Sequence, residues 1–129
     1  MNIRKKLILV GGLLTIIWGI AHLFPTNSIV KGFGSISVDN ANIITMEWIT
    51  EGLVLIFIGL LINTVTILIL SPDKVVKAVY LLTFIMLVAM SVLSLFTGFK
   101  IDFLPFKLCP VIFLTSGLLI IQGFFYKNS

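Results

Sequence analysis

Four stretches of this chain, at about residues 7–24, 43–70, 75–97 and 108–126, run for the width of a bilayer almost without charge, and few folds are open to such a pattern. A hydrocarbon core of about 30 Å takes about 20 apolar residues as an α-helix, with the backbone polar groups satisfied inside the helix. The connections are short, so no separate soluble domain fits between them. With 59% of its 129 residues hydrophobic and 11% charged, the chain lies well outside the roughly 45–50% apolar content of soluble domains. The expected fold is all-α: a four-transmembrane-helix bundle, one integral membrane domain over residues 1–129.

The connections carry the local signals. Arg4, Lys5 and Lys6 precede the first apolar run, which contains Thr15 and His22 and is closed by Pro25. A basic start, an apolar core and Gly19-Ile20-Ala21 would also suit a cleaved signal peptide, but the expectation is a retained span. Residues 25–42 are polar with Ile29, Val30, Phe33, Ile36 and Val38 interspersed, so this connection should lie on the membrane surface or fold over the bundle's end. It reads as an interfacial loop or as a lid. Asn42 and Thr45 are candidate N-caps for span two. Ser71 suits the N-cap of span three, with Pro72 at its first position and Asp73 at its positive dipole end. Between spans three and four, Phe99, Phe103 and Phe106 alternate with Lys100, Asp102 and Lys107, as expected at head-group level, and Pro110 falls where an N-terminal proline is tolerated.

Orientation follows from the basic residues. Arg4, Lys5, Lys6, Lys74, Lys77 and Lys127 would share one side, against Lys31, Lys100 and Lys107 on the other. Six against three predicts N-in/C-in, multi-pass, in the cell (cytoplasmic) membrane. No basic, aromatic-interleaved soluble surface supports nucleic-acid binding. The single Cys109 excludes an internal disulfide or a Cys-x-x-Cys redox centre. No phosphate loop, nucleotide fingerprint or hydrolase elbow occurs, and no cofactor is implied.

The chemistry concentrates at Met46-Glu47-Trp48-Ile49-Thr50-Glu51-Gly52. Glu47 and Glu51 stand one helical turn apart at the mouth of span two, and from Gly52 to Leu70 there is no charge at all. A charged side chain at the bilayer centre costs roughly 2.5–3.5 kcal/mol on insertion scales, so an acid about a turn inside a span is a functional-site hypothesis. The up-and-down order of the spans brings His22, Asp39, Glu47, Glu51 and Asp102 to one end. Glu47, Glu51, Leu55, Gly59 and Asn63 recur every four residues on one helix face. Two readings stay open for His22 and Glu51: a structural pair tying span one to span two, or a polar pocket in which imidazole and carboxyl share a proton. For the pocket, the ligand-binding candidates are His22, Glu47, Trp48, Glu51, Trp18 and Asn63, with the tryptophans available to stack on a flat ligand.

Other chemistries are weakly signalled. One His and two carboxylates are a poor zinc set, and the paired Glu-x-x-His of di-iron bundles is absent, so no metal is expected. Cys109, beside Pro110 at a helix start, could be an activated thiol, but a small packed cysteine is the ordinary role. Asn63 and Gln122 are the only strongly polar side chains deep in the spans, thin for a proton-coupled transporter. Glycines and serines line one stripe of each span, as close helix packing requires. Gly12-Leu13-x-x-Ile16-x-x-Gly19 also matches Gly52-Leu53-x-x-Ile56-x-x-Gly59, a pattern that chance or a duplicated hairpin could produce.

At Gly19-Ile20-Ala21-His22-Leu23 and at Glu51-Gly52, with Gly59-Leu60-Leu61 following, the first half of the chain resembles the DoxX-like group of small four-span bacterial membrane proteins. The resemblance implies a four-helix bundle in a cytoplasmic membrane, with Glu51 and His22 as inward-facing positions. Some relatives in that group are linked to thiosulfate:quinone oxidoreduction, but this chain lacks the cysteine pair for thiol redox chemistry, and no activity is carried over.

The sequence therefore leads to a bundle whose outward pocket binds a small hydrophobic or amphiphilic molecule, a quinone or a lipid. The alternatives are an enzyme using a His22/Glu51 proton shuttle on such a molecule, and a noncatalytic subunit or assembly factor. Catalytic residues stay unknown. Membrane lipid is the expected partner, and a homodimer or a membrane partner protein would fit the large apolar surface.

Overall fold

The computed structural model describes residues 2–69 and 73–125. Its elements in chain order are α1 (Ile3–Leu23), α2 (Thr26–Gly32), α3 (Val38–Leu68), α4 (Lys74–Phe96) and α5 (Leu104–Ile120), with 3₁₀ turns at Gly98–Lys100 and Ile121–Gly123. No strand occurs among the described residues. Four of the helices are long and apolar enough to cross a membrane, so this is an all-α, four-helix, multi-pass membrane protein.

Caps set the helix starts, and they move several boundaries from their expected places. The Ser37 hydroxyl accepts from the Asn40 N–H, so α3 starts at Val38 rather than near residue 43, with neither Asn42 nor Thr45 as its cap. Its 31 residues make a rod of about 46 Å, and the polar first turn extends beyond the apolar run. α1 likewise starts at Ile3, capped by Asn2, so its basic residues belong to the helix. Asp73, accepting from the Val76 N–H at 2.9 Å, caps α4. Ser71 and Pro72, expected to start that helix, lie outside the described residues. Span four is displaced as well. Leu104 and Pro105 open α5, which puts Pro110 and Cys109 inside the helix and not at its start. The helix ends at Ile120, and Tyr126 lies outside the described residues.

Around the bundle the order is α3, α1, α5, α4, and the seam between α3 and α4 is the loose one. Where both sides of a helix interface are as apolar as lipid, close packing and hydrogen bonds decide which helices associate. α1 and α3 achieve this by sharing glycines. A Cβ on Gly19 would stand 2.8 Å from the Gly52 carbonyl oxygen, and one on Gly59 would collide with the Gly12 carbonyl oxygen and Ile16. Gly12 thus meets Gly59, Gly19 meets Gly52, Ile16 rests on Gly59, and Ile56 rests on Gly19. The repeated Gly-Leu-x-x-Ile-x-x-Gly pattern is therefore the two halves of one antiparallel contact. The seam thus uses the same small-large-small order on both helices.

The remaining interfaces centre on α5. Gly11 of α1 backs onto Ser116, Leu119 and Ile120, and Gly117 faces Phe84 and Leu87 of α4. The Ser91 hydroxyl donates to the Pro110 carbonyl at 2.7 Å, joining α4 to α5. Leu55, Ile62, Leu87, Phe113 and Ile120 form the centre of the core. Thr66 and Tyr80 hydroxyls, 3.0 Å apart, tie α3 to α4 near the chain termini. Toward α2 the two helices part, and the site lies in that opening.

Candidate functional site

The close approach of α1 and α3 at Gly19 and Gly52 fixes the first pair of the site. His22 lies one turn beyond Gly19, and Glu51 directly precedes Gly52, so the glycine contact carries imidazole toward carboxylate. His22 Nε2 stands 3.5 Å from Glu51 Oε2. The histidine side chain is 4% exposed and the glutamate 39%, so one partner is sealed in the bundle while the other faces out. At that separation Nε2 makes no hydrogen bond of ordinary geometry.

Trp48 locks the same corner. Its indole N–H donates to the His22 carbonyl at 2.7 Å, satisfying one of the carbonyls that a helix leaves unpaired in its last turn. Its ring stacks on the imidazole, with centroids 3.9 Å apart and planes 15° apart. Phe106 meets Trp48 edgewise at 5.4 Å, and Phe103 meets Phe106 at 5.8 Å. One indole face is therefore taken by His22. Stacking a flat ligand there, as the sequence suggested, would require displacing the histidine.

Where α3 and α4 part, a groove of about 490 Å³ opens. Glu47, Trp48, Glu51 and Val54 form its α3 wall, Met86 and Met90 its α4 wall, and Phe33 and Phe106 part of its end. A second cavity, about 330 Å³, lies between α2 and residues 101–106 and shares Ile29, Phe33, Ile101 and Phe106 with the first. α2 thus folds over the bundle's end, one of the two placements expected for this connection.

The six candidate residues divide into three groups. His22, Trp48 and Glu51 come together, and Glu47 stands exposed on the groove wall one turn further out. Trp18 packs against the core, beside Cys109, yet its N–H completes no hydrogen bond of normal geometry. It does not line the groove. Asn63 is three helical turns from Glu51, against Gly12 of α1, with its side-chain oxygen buried and unpaired. It serves the α1–α3 seam. Cys109 is a buried core residue. Among the described residues, no three His, Cys, Asp or Glu side chains converge as a metal site would require.

Sequence reasoning missed the groove's apolar half. Met86 and Met90, four apart on one face of α4, were legible only as part of an apolar run. Phe106 was read as a head-group aromatic, and nothing local marked it as a neighbour of Trp48.

Fold and site together define a four-helix membrane protein with two acids on the wall of an apolar groove between two of its spans. No family model matches the chain, and neither a curated protein nor a solved structure matches it.

Proposed function

We propose that this protein binds a small hydrophobic or amphiphilic molecule, of the size of a quinone head group or a lipid chain, in the groove between α3 and α4. One observation carries the reading: an apolar cleft of about 490 Å³ has its two charged groups, Glu47 and Glu51, a helical turn apart on one wall. Ligand sites are mostly apolar concavities in which a few placed polar groups set orientation. In a bilayer the open seam faces lipid, which gives such a molecule a path in. Membership of the DoxX-like group belongs to this proposal too, through the Gly19-Ile20-Ala21-His22-Leu23 and Glu51-Gly52 motifs with Gly59-Leu60-Leu61.

Native mass spectrometry of the gently solubilised protein tests it. The wild type should retain a small molecule that Glu51→Gln loses. A protein carrying only bulk lipid in both forms would remove the ligand-site reading and leave His22 and Glu51 as a structural pair.

The proximity of His22 Nε2 to Glu51 Oε2, 3.5 Å, favours a second reading, in which the pair moves a proton to or from the bound molecule. That reading requires turnover with a pH dependence that Glu51→Gln abolishes.

A further inference from the structure

We propose that the groove selects an amphiphile with a positively charged head, a protonated amine or quaternary ammonium on an apolar chain, with the head at Glu47 and Glu51 and the chain along Val54, Met86 and Met90. This rests on the groove being a ligand site and narrows what it takes.

The first argument is charge. The chain as a whole is +4, yet the two charged residues on the groove wall are both acids. Glu47 has no ion-pair partner among the described residues, and Glu51 has only the imidazole 3.5 Å away. The lysines at this end do not compensate them. Lys107 is taken by Asp102 at 2.9 Å, and neither Lys31 nor Lys100 lines the groove. Two carboxylates one turn apart at the edge of a low-dielectric cleft attract a cation and repel an anionic head, and the attraction strengthens as water is excluded.

The second argument comes from His22. Its side chain is 4% exposed and its Nε2 makes no hydrogen bond, although it points at the carboxylate on the groove wall. A buried polar atom left without a partner is uncommon in a finished site. A head group docked on Glu51 would draw the carboxylate into a fixed position, within reach of that nitrogen on one side and of the cation on the other.

The third argument is what lines the cleft inward of the acids. From the α2 end inward the α3 wall runs Ile43, Ile44, Glu47, Trp48, Thr50, Glu51 and Val54, and Met90 precedes Met86 on the α4 wall. Inward of Glu51 the wall is apolar, as an amphiphile is beyond its head, and the flexible, polarisable methionines accommodate chains of differing shape. A neutral quinone would leave both carboxylates unmatched, and an anionic lipid head would be opposed by them.

The test uses the full-length protein in phosphatidylcholine nanodiscs, with empty nanodiscs as the blank and probes that share one dodecyl chain: dodecyltrimethylammonium, dodecanol and dodecyl phosphate. Titration calorimetry gives each affinity. The ammonium probe should bind at least about tenfold more tightly than the others. Glu51→Gln should remove most of that preference, bringing the ammonium affinity toward that of dodecanol. Glu47→Gln, at an exposed position, should do so in part. Equal affinity for all probes, or a preference for dodecyl phosphate, would overturn the charge selection and leave the groove standing as a ligand site. Absence of saturable binding by any probe would overturn the groove reading itself.

Discussion

Trp48 stabilises its corner with two separate parts of one side chain. The indole N–H satisfies the His22 carbonyl at the end of α1, and the ring covers the imidazole. A net hydrogen bond of this kind contributes about 0.5–1.5 kcal/mol, whereas truncating a large packed aromatic costs about 3–5 kcal/mol. Trp48→Phe, which keeps a ring and loses the N–H, should lower unfolding free energy in mixed micelles by about 1 kcal/mol. Trp48→Ala should cost about three times as much. Equal losses would mean that the hydrogen bond dominates and the stacking contributes little. The sequence could place Trp48 beside Glu47 and Glu51, because helical spacing is local. It could not show that one face of the ring is occupied, because His22 lies 26 residues away and on another helix.

The same division between local and distant information holds for the helices. Hydropathy located all four long helices, and α4 (Lys74–Phe96) falls within one residue of its expected span. It misplaced the starts of α3 and α5, because a helix begins where its cap lies and not where its apolar run begins. Ser37 with Asp39 in the first turn was a cap signal that the polarity of residues 37–42 obscured. The glycine repeat was visible, but its meaning depends on α1 and α3 running antiparallel in one register. That register gives a direct test. An alanine at Gly19 sets its Cβ 2.8 Å from the Gly52 carbonyl oxygen and 2.9 Å from the Ile56 backbone nitrogen. Backbone on the facing helix cannot rotate away, so Gly19→Ala should destabilise by about 1–3 kcal/mol. Gly32, with nothing within 4 Å of its would-be Cβ, provides the control: Gly32→Ala should stay within about 0.5 kcal/mol of wild type. Denaturation in mixed micelles separates the two, and a Gly19→Ala protein as stable as Gly32→Ala would mean that α1 and α3 do not meet in this register. Because the same contact brings His22 to Glu51, the Gly19 variant should also lose ligand retention.

At the scale of the whole molecule, the question that governs function is which face of the membrane the groove's mouth occupies. The described ends of the chain lie together, since the Arg4 guanidinium donates to the Phe125 carbonyl, and α2 with its acidic neighbours lies at the opposite end. We infer from the six-to-three excess of lysine and arginine toward the termini that this terminal end faces the cytoplasm. Glu47 and Glu51 then lie in the outer half of the bundle, within reach of an amphiphile in the outer leaflet. The protein suits a labelling test, because its one native cysteine, Cys109, is buried at 5% exposure and should stay silent to a membrane-impermeant maleimide. Asn27, exposed on α2, and Asn2, exposed before α1, provide reporters at the two ends. Asn27→Cys should react on intact cells expressing the protein, and Asn2→Cys only after the membrane is opened. The reverse pattern would put the groove's mouth on the cytoplasmic side, so that any amphiphile it takes would have to come from the inner leaflet.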